Sequence, residues 1–261
     1  MNRRHLLRSV MTLLVIGLMA VGCGTDTPSS GAPSVSPSVS PKLSPPGDVA
    51  PSRPTPVSVP PVSAAARAVG FIDVRTVVPD AIVDLRYATP HNFTGITLYP
   101  RGARCLVHSS MSAGLKTAAQ VLRRGGEVLV FWDCYRPHSV QQTMYEKVSN
   151  PAWVAAPGSY SRSHESGRSV DVTIASHRAN CPAARRIAED CLAEMGTGFD
   201  SFTPAATAYA TDGVSAAAQR NRARLRNAMS AGSLTVYSGE WWHFDGAGAD
   251  VRRPIIDVAP Y

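Results

Sequence analysis

Lysine is scarce in this chain: Lys42, Lys116 and Lys147 are the only three among 261 residues. Arginine therefore supplies nearly all of the 26 basic side chains, which face 19 acidic ones and give a formal net charge of +7. Arg3, Arg4 and Arg8 fall in an N-terminal leader, and without them the balance is 23 against 19. No basic run is interleaved with aromatics, so a nucleic-acid partner is not expected. Past the N-terminus no apolar run approaches the ~20 residues of a free-standing membrane helix, which excludes a polytopic membrane protein. No CxxC occurs, which argues against a structural zinc ribbon. The chain has no internal repeat, and glutamate is nearly as sparse as lysine, with six residues.

The leader reads Asn2-Arg3-Arg4-His5-Leu6-Leu7-Arg8, then about fourteen uncharged, mostly apolar residues from Ser9 to Gly22, then Cys23. A basic start and a short apolar core are the marks of a secretory signal. Ala20 and Gly22 before Cys23 resemble a lipobox, which makes 1–22 a lipoprotein-type signal peptide and Cys23 the lipidated mature N-terminus. A plain signal peptide or a retained anchor helix are the alternatives. The Arg3–Arg4 pair leaves Sec and twin-arginine export both open. Residues 23–64 form a linker rich in proline, serine and valine, with eleven of the 21 prolines. Such a stretch has too little bulky apolar surface to offset ordering entropy, so it reads as a disordered spacer. The expected location is outside the cytoplasm, held to the membrane by the N-terminal lipid alone.

Residues 65–261 are long enough for one buried core. Alternation and β-branched content predict strands at 81–88, 127–133, 169–175 and 234–238. Apolar residues at helical spacing predict helices at 111–124, 138–148, 182–194 and 215–230. Strands and helices mix without a strict βαβ rhythm. The expected class is α+β: one compact domain with a mixed, mainly antiparallel sheet flanked by helices. Four cysteines remain after Cys23 (Cys105, Cys134, Cys181 and Cys191), an even number that implies disulfides in an exported domain. Of the three pairings four cysteines allow, Cys105–Cys134 with the local Cys181–Cys191 is preferred over four buried thiols, though sequence alone leaves the choice open.

Three polar clusters stand out. Ser163-His164-Glu165-Ser166-Gly167-Arg168 leads into Ser169-Val170-Asp171, placing a histidine in a loop and an aspartate in an apolar strand. Glu240-Trp241-Trp242-His243 follows the strand at 234–238, and Asp133-Cys134-Tyr135-Arg136-Pro137 closes the strand at 127–133. Each alone has an ordinary explanation: a surface loop, a core tryptophan pair, a solvated turn. Together they fit a catalytic zinc, which takes three protein ligands and keeps one position for water. Two histidines and one aspartate supply such a set and lower the pKa of the water to ~7. Glu240, three residues before His243, can then accept the water proton, and Arg136 offers a two-pronged cation for an oxyanion or carboxylate.

With these residues the chain resembles the zinc D-alanyl-D-alanine dipeptidases of the vancomycin-resistance type. Leu85-Arg86-Tyr87-Ala88-Thr89, Asn92-Phe93-Thr94-Gly95, Met195-Gly196-Thr197 with Phe199-Asp200, and 222–229 agree in order across nearly all of 70–245. The resemblance implies one zinc per chain on His164, Asp171 and His243, Glu240 as general base and then acid, and Arg136 at the tetrahedral intermediate. It implies a pocket lined by Tyr87 and Asp200, with Asp200 facing the substrate ammonium and Trp241 and Trp242 shaping the walls. The expected substrate is D-Ala-D-Ala or a related D,D-peptide, in cell-wall peptide turnover. The alternatives are a D,D-carboxypeptidase on peptidoglycan stems and a non-catalytic wall-binding lipoprotein. Two departures stand out: Arg162 occupies a place where the family often carries serine, and 201–213 is not family-like.

Overall fold

The structure, a computed structural model, describes residues 58–261. The signal peptide, Cys23 and the spacer up to residue 57 lie outside the described residues. The fold is α+β. Its elements in chain order are α1 (Ala64–Ala68), β1 (Phe71–Asp73), β2 (Ile82–Val83), β3 (Leu106–His108), α2 (Ser112–Arg123), β4 (Glu127–Asp133) and α3 (His138–Lys147). Then come β5 (Ser169–His177), β6 (Arg186–Ile187), β7 (Asp190–Leu192), α4 (Ala216–Ala231), β8 (Thr235–Val236) and β9 (His243–Asp245). Short 3₁₀ turns join them, among them Arg86–Ala88 and Ser163–Ser166.

β5 is the axis of a seven-stranded sheet, with β4 antiparallel along one edge. Its other edge is divided: β9 pairs with Ser169–Asp171, and β7 pairs with Ala175–His177. β2 joins β4 in parallel, β8 extends β9, and β6 extends β7. β1 and β3 form a separate antiparallel pair. Alternate side chains of a strand point to opposite faces. Val170, Val172 and Ile174 thus share one face of β5, in one core with Leu115, Ala118 and Leu122 of α2 and Leu225, Ala228 and Met229 of α4. Ser169, Asp171 and Thr173 occupy the other face and are equally buried. α2 approaches the end of α4 so closely that a Cβ on Gly114 would stand 2.5 Å from the Gly232 carbonyl oxygen. The N-terminus of α4 is capped by the Ser215 hydroxyl accepting from Ala218 N–H, an arrangement that typically contributes about 1 kcal/mol.

Three of the four predicted helices and the long strands fall where expected, but 182–194 is not a helix. It forms a 3₁₀ turn at Ala183–Arg185 and the β6–β7 hairpin. Cys181 bonds Cys191 across this segment, and β7 gains ladder hydrogen bonds from β5, so tertiary pairing overrides helical spacing. The strand expected at 81–88 is shorter, because a 3₁₀ turn that buries Tyr87 follows β2. Cys105 bonds Cys134, joining the approach to β3 with the end of β4.

Candidate metal centre and its cleft

Three chain reversals bring the polar clusters to one place. β4 ends at Asp133, whose register partner on β5 is Asp171, whose partner on β9 is His243. Directly paired residues project from the same face, so the three side chains stand in a row across the sheet. His164 comes from the Ser163–Ser166 turn just ahead of β5. Gly167 ends that turn with φ +64°, and a Cβ there would lie 2.7 Å from the Phe71 ring, so both conformation and space require glycine.

His164 Nε2 lies 3.2 Å from Asp171 Oδ1, His243 Nδ1 lies 3.0 Å from the same oxygen, and the two ring nitrogens are 3.1 Å apart. The opposite ring nitrogens are already engaged. His164 Nδ1–H donates to the Cys134 carbonyl oxygen (2.8 Å), and His243 Nε2 faces Asp245 Oδ1 at 3.0 Å. In the neutral rings this leaves two bare nitrogens and a carboxylate oxygen aimed at one point. Such a donor set fits a metal cation, and the separations suit the base of a tetrahedral site with ligands at ~2.0–2.2 Å. Burial pushes the His243 imidazole down, yet its hydrogen bonds to Asp171 and Asp245 prevail and lift its pKa to about 10. Asp171 is likewise buried, and the two histidines hold it well below the usual carboxylate range. The local field favours positive charge.

Glu240 stands apart from the triangle, its Oε2 3.9 Å from His243 Nδ1. Burial raises its pKa, His243 opposes that shift, and the Asp171 charge adds to it. Arg136 is buried and held on two sides: Nε and Nη2 donate to Asp133 Oδ2 (3.1 and 2.6 Å), and Nη1 donates to Gln141 Oε1 (2.7 Å). Nη1 also donates to Met144 Sδ at 3.5 Å, and since a guanidinium has five N–H groups, one on Nη2 remains for the cleft. Asp200 adopts φ +55°, in the left-handed region, and Tyr87 O–H donates to its Oδ2 at 3.0 Å. Burial, then the Asp171 charge, push the Asp200 pKa well above the carboxylate range, against the opposing Tyr87 hydrogen bond and Arg136 charge. These groups line a cleft of about 390 Å³.

A sequence model described as D-ala-D-ala dipeptidase matches residues 67–260, a span that contains the whole cleft. The chain belongs to the D-Ala-D-Ala dipeptidase family. This is a metallopeptidase family, and the chain is an enzyme of that kind. A D-alanyl-D-alanine dipeptidase of Escherichia coli K12 is 31% identical over 175 residues, covering 67% of this chain and 83% of the relative. The enzyme of that name from Enterococcus faecium is 26% identical, over 67% of this chain and 91% of its own. One from Streptomyces coelicolor is 28% identical, over 62% of this chain and 83% of its own.

Of the residues singled out in this dipeptidase-family sequence, His164, Asp171, His243, Glu240, Arg136, Tyr87, Asp200 and Trp242 all line the cleft. Trp241 does not. It is wholly buried behind the cleft, donates its Nε1–H to Thr197 Oγ1 (2.8 Å) and packs on Trp132, so its expected place in the pocket wall is corrected to the core. Trp241 and Trp242 lie in a bend ahead of β9, so strand alternation does not govern which of them reaches the cleft. Asp133, Gln141 and Asp245 had no assigned role. Asp245 was legible as the next same-face residue after His243, whereas Gln141 is reached only through the packing of α3 against Arg136.

Proposed function

We propose that this enzyme hydrolyses D-alanyl-D-alanine with one zinc ion held by His164, Asp171 and His243. The observation that carries this reading is the triangle of bare donor atoms with Glu240 beside it but outside it. A zinc bound there supplies Lewis acidity, making water nucleophilic near neutral pH and polarising the peptide carbonyl. Glu240 accepts the proton of the attacking water and then delivers it to the amide nitrogen as the C–N bond breaks. The remaining Nη2 N–H of Arg136 faces the oxyanion of the tetrahedral intermediate, and because Asp133, Gln141 and Met144 fix the guanidinium, little reorganisation is needed. Asp200, with Tyr87 holding one of its oxygens, takes the substrate ammonium. The products are two D-alanine molecules.

The first sixty residues and the disulfides support an exported protein, tethered by lipidated Cys23 and acting in cell-wall peptide turnover or recycling. Chelator-sensitive release of D-alanine from the free dipeptide is the decisive assay, run beside a pentapeptide stem. Turnover of the stem alone would instead favour the carboxypeptidase reading, and a metal-loaded protein inert on both would favour the wall-binding one. For the anchor, Cys23→Ala should release the protein from the membrane fraction or leave its leader uncleaved.

A further inference from the structure

The cleft has a second structural theme, a train of aromatic rings that leads away from Asp200. Tyr87, whose hydroxyl holds Asp200, meets Phe93 edge-on with ring centres 6.2 Å apart. Phe93 meets Phe202 edge-on at 5.1 Å, and Phe202 lies flat on Trp153 at 4.7 Å with the planes 5° apart. Phe93 and Trp153 line the cleft, and Phe202, two residues after Asp200, packs against both of them. The three outer rings come from separate segments, between β2 and β3, after α3, and after Asp200, so the contact closes a gap between loops. Trp153 is 47% exposed, the only tryptophan of the four that is.

The segment that presents Trp153 is firmly held. Asn150 Oδ1 accepts from Ala152 N–H, and the Asn150 carbonyl accepts from Trp153 and Val154 N–H. Val154, the next residue, is buried in the core. Gln141 Nε2 donates to the Ala155 carbonyl at 2.6 Å while the same side chain's Oε1 accepts from Arg136. One amide thus ties the Trp153 segment to the arginine that faces the reacting carbonyl. Exposed aromatic surface kept in place by this many bonds acts as a fixed boundary of the cleft.

We propose that Trp153 and Phe202 form a wall that stops the cleft beyond Asp200, making them specificity residues that admit peptides ending in a free ammonium there and reject those extended at that end. This rests on the dipeptidase reading, in which Asp200 takes the substrate's amino group. With the ammonium on Asp200, any N-terminal acyl group or residue must pass the Phe93–Phe202–Trp153 rings. An added acyl group also removes the positive charge that Asp200 is placed to meet, so steric and electrostatic rejection act together. Only the steric part resides in the wall, which separates the two experimentally.

The test compares D-Ala-D-Ala, N-acetyl-D-Ala-D-Ala and the tripeptide D-Ala-D-Ala-D-Ala, with the zinc-loaded protein as wild type, Trp153→Ala, Phe202→Ala and Trp153→Phe. The tripeptide keeps a positive charge but places it one residue farther out. Expected is an increase of about 10–200-fold in the ratio of tripeptide to dipeptide kcat/KM for both alanine variants, the range over which pocket sterics discriminate. Trp153→Phe should restore the wild-type ratio, and the acetylated dipeptide should improve less than the tripeptide. Two independently folded alanine variants with the wild-type ratio would overturn the wall while leaving the dipeptidase reading intact. A wild type inert on D-Ala-D-Ala itself would overturn that reading and the wall with it.

Discussion

Asp171 and His243 are direct register partners on adjacent antiparallel strands, and their candidate donor atoms stand 3.0 Å apart. Two of the three donors at the metal centre are therefore fixed by sheet hydrogen bonding rather than by loops. The third, His164, comes from the turn ahead of β5, and its ring is oriented by donating to the Cys134 carbonyl.

Replacing His164, Asp171 or His243 by alanine should abolish retained metal, because two donors hold a catalytic ion poorly against water. Metal analysis of the purified variants checks this directly, and full occupancy in any of them would remove that residue from the ligand set.

Glu240→Gln should keep metal and fold but lower kcat by about 10²–10⁴-fold, the usual contribution of a general acid–base group. KM should change far less, since the proton moves only on the way to the transition state. A metal-loaded variant with wild-type kcat would sink the assignment.

Asp245→Ala should weaken metal affinity by about 10–100-fold without removing the site, since Asp245 orients a ligand and is not one. Competition against a chelator of known affinity measures it. Unchanged affinity would mean that β9 alone holds the His243 ring.

Loss of Cys105–Cys134 should destabilise the domain by about 2–4 kcal/mol, given the 29-residue separation it closes. The same change should weaken metal binding, because the carbonyl that orients His164 belongs to Cys134. Denaturation and metal titration of Cys105→Ala/Cys134→Ala test the two effects separately.

Asp73 gives the fold a pH dependence. Burial raises its pKa, but hydrogen bonds and charge from Arg75 and Arg104 prevail and hold it below the ordinary value of 3.8. A depressed native pKa contributes stability that is present above the unfolded value and lost as pH falls through the native one. Asp73→Asn should therefore cost about 1–3 kcal/mol near neutrality, and this gap should shrink toward about pH 2. Urea midpoints for both proteins at the two pH values provide the measurement, and an equal gap at both would contradict the assignment.

The elements that follow from side-chain periodicity were legible in the sequence. α2 announces itself through Leu115, Ala118, Ala119 and Leu122, β4 through the apolar run from Val128 to Trp132, and β5 through the alternation of Val170, Val172 and Ile174 with polar residues. The 182–194 segment was not, because its conformation depends on a disulfide and on the free edge of β5, neither of which leaves a local pattern. At the site, residue types and order pointed to the three donors and Glu240, since so few glutamates and histidines are available. The side-by-side placement of Asp171 and His243, 72 residues apart, is a matter of register. The bond from Gln141 to the Trp153 segment depends on where α3 packs, and nothing in the spacing encodes it.

The division of the β5 edge between β9 and the β6–β7 hairpin bears on solubility. Left unpaired, Ala175–His177 would offer backbone N–H and C=O groups to any passing chain, the usual route to edge-to-edge aggregation. The hairpin occupies those groups, and the edge it presents in turn is only two residues long and carries Arg186. Cys181–Cys191 ties β7 to the segment that leads into the hairpin. This second disulfide thus stands guard over self-association, and a chain that folds before its cysteines are oxidised is most vulnerable at that edge.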